Sequence, residues 1–173
     1  MIAYNRVHDN RAHTGVGIYI DNQSPNHVIH HNISYRNADS GIRLNTPTAN
    51  VLVYNNTLWQ NGNSIAWWGP EGNSDQPGVI VANNIATNAV LLGKGATEHH
   101  NLIEKDPMFL SPETGDFRLK EGSPCIDAGE KIQGTTDGFR GKAPDIGALE
   151  FGSPPWFAGH DWGEGPKVWF AAD

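Results

Sequence analysis

Three side chains near the ends of three similar segments could together handle a sugar. They are an acid, Asp21 in GVGIYID, a cation, Arg43 in SGIRLN, and an indole, Trp68 in NSIAWW. An indole plate stacks on a ring, a cation meets carboxylate or hydroxyl oxygens, and an acid accepts hydrogen bonds or moves a proton. Tyr19, Asn45 and Trp67 stand among them as candidate substrate-binding residues beside Trp68. The loop GPEGNSDQPG comes directly after and carries Glu71 and Asp75, either of which is a candidate second carboxyl for a hydrolase. A separate constellation joins His8 and Asp9 with Arg36 one repeat on, a candidate base and cation pair. His30 is a further candidate binding residue. His30 and His31 are neighbours on an expected strand, so their side chains should point to opposite faces and cannot chelate one ion together. His99 and His100 lie two coils away, and no HxH or HExxH spacing occurs. No metal site is therefore expected from these residues.

These side chains need elements that bring distant segments into register. Asn5, Asn32, Asn56 and Asn84 occupy the same place in four imperfect copies, YNRVHDN, HNISYRN, NNTLWQN and NNIATN, with a degenerate fifth beginning HHNLI. The spacings of 27, 24, 28 and then 17 residues to Asn101 are those of a solenoid. Such a fold offers rows of side chains along an elongated face. Ile2, Ile29, Val53 and Val81 precede the aligned Asn by three residues, and Val7, Ser34, Leu58 and Ala86 come two residues after it. Both sets are expected to face inward from short strands. In the next strand Ile18 and Ile20, Ile42 and Leu44, and Ile65 and Trp67 should point in. Tyr19 and Asp21, Arg43 and Asn45, and Ala66 and Trp68 should point out. Asp21, Arg43 and Trp68 would then share one face of coils spaced about 4.8 Å apart. The aligned Asn falls at a bend, where its amide can pair with the Asn one coil away, so its role is read as structural.

The chain has 173 residues and a formal charge of −7, with no basic patch, so nucleic acid is not an expected partner. No apolar run approaches the roughly 20 residues that span a bilayer. All 17 Asn lie at or before Asn101, which divides the repeats from the C-terminal part of the chain. Cys125 alone precludes an intrachain disulfide and reads as a packed residue. The start MIAYNRVHDN carries no signal-peptide pattern and opens inside a repeat. That suggests a longer solenoid or a covered first coil, with homodimerisation through that coil or the tail as one expectation.

The repeats resemble those of the right-handed parallel β-helix superfamily of pectate-lyase-like proteins. DPMFLSPETGDFRLKEGSPCIDAGE followed by PDIGALEFG resembles the closing module of many bacterial extracellular β-helix proteins. The resemblance implies an all-β, short right-handed parallel β-helix of about four to five coils over residues 1–105. A β-rich closing module would occupy 106–152 and a Trp-, Gly- and Pro-rich tail 153–173. It further implies a carbohydrate-active protein of the cell exterior or surface, acting on plant or algal polysaccharide as a glycoside hydrolase or polysaccharide lyase. A non-catalytic glycan-binding or surface module, or the end of a larger β-helix protein, is the alternative. Lyases of this kind need a base and cations, Ca²⁺, Arg or Lys, to neutralise a uronate carboxylate. The expected cofactor is accordingly none or Ca²⁺. No Asp cluster of the polygalacturonase type and no Asp-Pro-His tripeptide occurs. In the tail, Trp156, Trp162 and Trp169 are expected to cover an apolar face or to stack on sugar.

Overall fold

The computed structural model describes residues 1–70, 73–156 and 158. Each lap contributes up to three short strands. The first has β1 (Ile2–Ala3), β2 (Arg6–His8) and β3 (Val16–Ile20), and the second β4 (Val28–His30), β5 (Ile33–Tyr35) and β6 (Ser40–Leu44). The third has β7 (Leu52–Tyr54), β8 (Thr57–Trp59) and β9 (Asn63–Ala66). The fourth has β10 (Ile80–Ala82) and β11 (Ile85–Ala86), and the fifth β12 (Thr97–His99) and β13 (Leu102–Ile103). Strands stack in parallel as β1-β4-β7-β10-β12, β2-β5-β8-β11-β13 and β3-β6-β9. The chain is thus a right-handed parallel β-helix, five levels deep in two sheets and three in the third.

The inward rows read from the repeat form the core. Ile29, Val53 and Val81 from the first sheet meet Leu58 from the second, and Ile42, Leu44 and Ile65 from the third, all at 0 % exposure. Trp67 is not among them: β9 ends at Ala66, and Trp67 lies half-buried just beyond it.

The bend between the first two sheets carries the Asn ladder. Asn5, Asn32, Asn56 and Asn84 each donate through Nδ2 to Oδ1 of the Asn on the next coil, ending on Asn101, at 2.9–3.0 Å. A second ladder, Asn37 to Asn61 at 2.9 Å, lines the next bend. The left-handed backbone falls one residue before the ladder Asn, at Tyr4, His31, Asn55, Asn83 and His100, with φ of 48–58°. At the second bend it falls at Asp9, Arg36 and Gln60. The ladder amides therefore serve hydrogen bonding, and their neighbours take up the turn.

The C-terminal module lies along the flank of the helix. Its regular part is a hairpin, β14 (Phe109–Ser111) and β15 (Asp116–Leu119), joined by a 3₁₀ turn over Pro112–Thr114. Phe109, Phe117, Leu119, Cys125, Ile146 and Leu149 pack on Ile33, Tyr35, Trp59, Ile85 and Leu102, the outer face of the second sheet. Those strands are consequently buried on both faces, as for Ile33–Tyr35 and Thr57–Trp59. Asp145 pins this layer by accepting the N–H groups of Asp127 (2.8 Å) and Phe151 (2.6 Å).

Candidate functional site

The outer face of the third sheet is not covered by the module and carries an open groove of about 610 Å³. Asn10, Thr14 and Val16 form one side, and Tyr19, Arg43, Asn45 and Trp68 supply the rest. Strand β3 projects Tyr19 and β6 projects Arg43, which sit in register with each other and with Ala66 of β9. Trp68 lies just beyond β9 and is 58 % exposed, and Tyr19 is 51 % exposed. Two aromatic plates thus stand two coil steps apart, about 10 Å along the stack of coils, on one side of the helix.

The polar groups between them are interlocked. Asn45 Nδ2 donates to the Tyr19 hydroxyl at 2.5 Å, and that hydroxyl donates to Asp21 Oδ1 at 3.2 Å. Burial, together with the Asp21 carboxylate, pushes the Tyr19 phenol up, so it holds its proton. Arg43 pairs with Asp39 four residues earlier and not with Asp21. Arg43 Nε and Asn45 Oδ1 find no hydrogen-bond partner among the described residues. Both atoms are buried, so they are not groups that the open groove presents to a ligand.

The sequence-selected residues divide accordingly. Tyr19, Arg43, Asn45 and Trp68 come together, with Asp21 attached through Tyr19. Asp21 and Arg43 do not share a row, because Arg43 aligns with Tyr19. Asp75 does not line the groove; it makes a β-bridge to Lys94. Glu71, Trp162 and Trp169 lie outside the described residues. Trp67 is absent from the groove wall. His30 is 6 % exposed, beneath Met1 Sδ at 3.2 Å and edge-on to Tyr4, so it does not present itself to a ligand.

His8, Asp9 and Arg36 do converge. Arg36 holds Asp9 through two hydrogen bonds of 2.8 and 2.7 Å, and His8 Nδ1 lies 2.7 Å from Asp9 Oδ2. The guanidinium keeps the Asp9 carboxyl well below the usual carboxylate range. His8 stacks on Tyr35 at 4.6 Å, and Arg36 lies over the same ring at 4.7 Å. With the cation committed to Asp9, the arrangement is an ion-paired brace across two coils.

One geometric expectation fails. His30 and His31 do not diverge: their Nδ1 atoms are 3.0 Å apart, and those of His99 and His100 are 3.3 Å apart. Strand alternation ends where φ turns positive, so the second imidazole swings to the side of the first. Burial lowers the His31 imidazole to about 4. As for Ca²⁺, the groove walls offer no carboxylate among the described residues, whereas that ion takes six to eight oxygens, several from acids. The described groove residues do not make a Ca²⁺ site.

The parallel coils, stacked in register in three sheets, define the class of right-handed parallel β-helix proteins. The chain belongs to the right handed beta helix region family, which matches residues 1–90. It is similar to pectate lyase L of Dickeya dadantii (strain 3937), 28 % identical over 148 residues, covering 72 % of this chain and 33 % of the relative. Pectate lyase L of Dickeya chrysanthemi is likewise 28 % identical over 146 residues, with the same coverage. The chain spans about a third of the length of these curated relatives. The crystal structure of pectate lyase Pel9A superposes with a TM-score of 0.66 at 24 % identity, over 87 % of this chain and 44 % of that one, and shows the shared fold.

Proposed function

We propose that this chain binds acidic, uronate-containing polysaccharide of plant or algal origin along the groove of its third sheet, as part of a lyase-type β-helix protein acting outside the cell. The observation that carries this reading is the pair of exposed aromatic plates, Tyr19 and Trp68, flanking Arg43 and Asn45. The likeness to pectate lyases supplies the polymer class. A hydrolase is disfavoured because it needs two carboxyls astride the bond, and none lines the groove among the described residues. Tyr19 is a poor proton acceptor, since its phenol is held protonated. The groove is therefore read as a binding surface, and Tyr19 is not its base. That observation favours the second reading, a glycan-binding part without turnover of its own.

Calorimetric titration with oligogalacturonate and with neutral oligosaccharides tests the proposal. Acidic oligosaccharide should bind, and Trp68→Ala should weaken it about tenfold, or ~1.4 kcal/mol, as expected for loss of a central aromatic contact. No binding of acidic glycan, or equal affinity in Trp68→Ala, overturns the reading. Ultraviolet absorbance of unsaturated products in the same samples separates lyase turnover from binding alone.

A further inference from the structure

We propose that His99, His100 and Glu130 form a site for a divalent transition-metal ion, for which zinc is the fitting probe. Among the described residues this is the one group of three or more His, Cys, Asp or Glu whose donor atoms lie mutually close, all within 4.8 Å. His99 ends β12, and His100 occupies the left-handed bend after it, with φ of 51°. Their Nδ1 atoms are 3.3 Å apart. Glu130 reaches them from the C-terminal module, placing Oε1 3.1 Å from His99 Nδ1 and Oε2 3.6 Å from His100 Nδ1. Donors bonded at about 2.1 Å to one tetrahedral ion lie roughly 3.4 Å from each other. The Nδ1–Nδ1 distance lies near that value, as does each imidazole's distance to a carboxylate oxygen, the two imidazoles meeting different oxygens of the same carboxylate.

The carboxylate is held there by something other than the histidines. Asn83, fully buried one coil below, accepts the Glu130 N–H at Oδ1 and donates Nδ2 to the Glu130 carbonyl, both at 2.9 Å. This pair of hydrogen bonds to the backbone fixes where the side chain starts. The earlier pair, His30 and His31, has the same backbone turn and similar convergence, but Met1 and Tyr4 occupy its surroundings and no carboxylate joins it among the described residues. Glu130 is what distinguishes the second pair.

The chemistry rests on the donor atoms. With the Nε2–H tautomer on both imidazoles, the two Nδ1 atoms and the carboxylate would bring acceptor lone pairs close together, where they repel one another. One proton satisfies one pair of them, whereas a metal ion satisfies all three. Two imidazoles and one carboxylate suit zinc, cobalt or nickel over calcium or magnesium. Three protein ligands leave one coordination position for water. The side chains are 33–49 % exposed, so an ion reaches them from solvent. Bound metal would tie the fifth lap to the module that flanks the helix. This proposal does not depend on the groove or its ligand.

The test is a zinc titration of the full chain after chelator treatment, read by calorimetry and by thermal unfolding. One equivalent should bind, and Tm should rise roughly 5–10 °C at a hundredfold excess over Kd. Glu130→Gln should weaken binding at least tenfold, and His100→Ala more. The double variant His30→Gln/His31→Gln should bind as the parent does. Cobalt(II) in the site should show visible absorption bands that Glu130→Gln alters. Failure of the parent to bind zinc overturns the proposal. So does binding that persists unchanged in both Glu130→Gln and His100→Ala, or that is lost only in the His30/His31 variant.

Discussion

At the scale of single residues, one amide shows how the ladder works. Asn56 Nδ2 donates to the carbonyls of Ile29 and Tyr54 and to Asn84 Oδ1, while Asn56 Oδ1 accepts from the N–H and Nδ2 of Asn32. Asn56 is fully buried, so each partner left behind by its removal loses a hydrogen bond that water cannot replace. Asn56→Ala should cost about 3–5 kcal/mol, seen as a lower urea midpoint at unchanged slope. Asn5 makes the same ladder bond at the exposed rim, and Asn5→Ala should cost only about 1 kcal/mol. Equal losses at the two positions would show that the ladder does not act through burial. These asparagines were legible in the sequence because they repeat in register. Their neighbours were not, since the meaning of His31 or His100 depends on the sign of one backbone angle. Cys125 was also legible: it is fully buried, and burial pushes its thiol up to about 12.

At the scale of elements, the bends decide which side chains meet. A strand alternates its faces, but a left-handed residue at its end places two consecutive side chains on one side. His30 with His31, His99 with His100, His8 with Asp9, and Tyr35 with Arg36 all arise this way. Strand periodicity read from sequence therefore succeeds for Ile29, Val53 and Val81 and fails one residue after each strand. The third sheet shows a related effect. Its outward residues were identified, but the pairing of Tyr19 with Arg43 separated Asp21 from the expected row. The bends also carry a pH dependence. Burial, reinforced by His30, lowers His31 from 6.5 to about 4. Below pH 6.5 the unfolded chain takes up a proton that the folded chain refuses, so stability falls as pH drops toward 4 and levels off beneath it. The loss should be at most on the order of 3 kcal/mol. Urea unfolding from pH 7.5 to 4 should show this slope in the parent and a shallower one in His31→Gln. Parallel slopes in the two proteins would remove His31 as its source.

At the scale of the whole molecule, the C-terminal module and the coils share one interior. Phe117 is 1 % exposed and meets the rings of Tyr35, Trp59 and Phe109 at 4.9–5.6 Å, joining the hairpin to the second sheet. Trp156 extends this layer, donating Nε1–H to the Ala148 carbonyl and meeting Tyr4 edge-on at 5.6 Å. The resemblance suggested a closing module with Cys125 in a packed position, and Cys125 is fully buried. The sequence did not show which face the module covers, because Phe109, Phe117 and Leu119 carry no register relative to the coils. That placement leaves the groove bearing Tyr19 and Trp68 on the outer face of the third sheet, away from the second sheet that the module covers. It also has a thermodynamic consequence. Solenoid laps interact with their neighbours and can melt piecemeal, but a layer that bridges several laps couples them. Phe117→Ala should cost about 3–5 kcal/mol and lower Tm by roughly 6–15 °C. Because the lost contacts belong to module and coils alike, unfolding should remain a single transition, with tryptophan fluorescence and far-ultraviolet circular dichroism superimposable. A variant in which fluorescence moves to lower temperature while the β-sheet signal stays in place would show instead that the module detaches from a coil stack stable on its own.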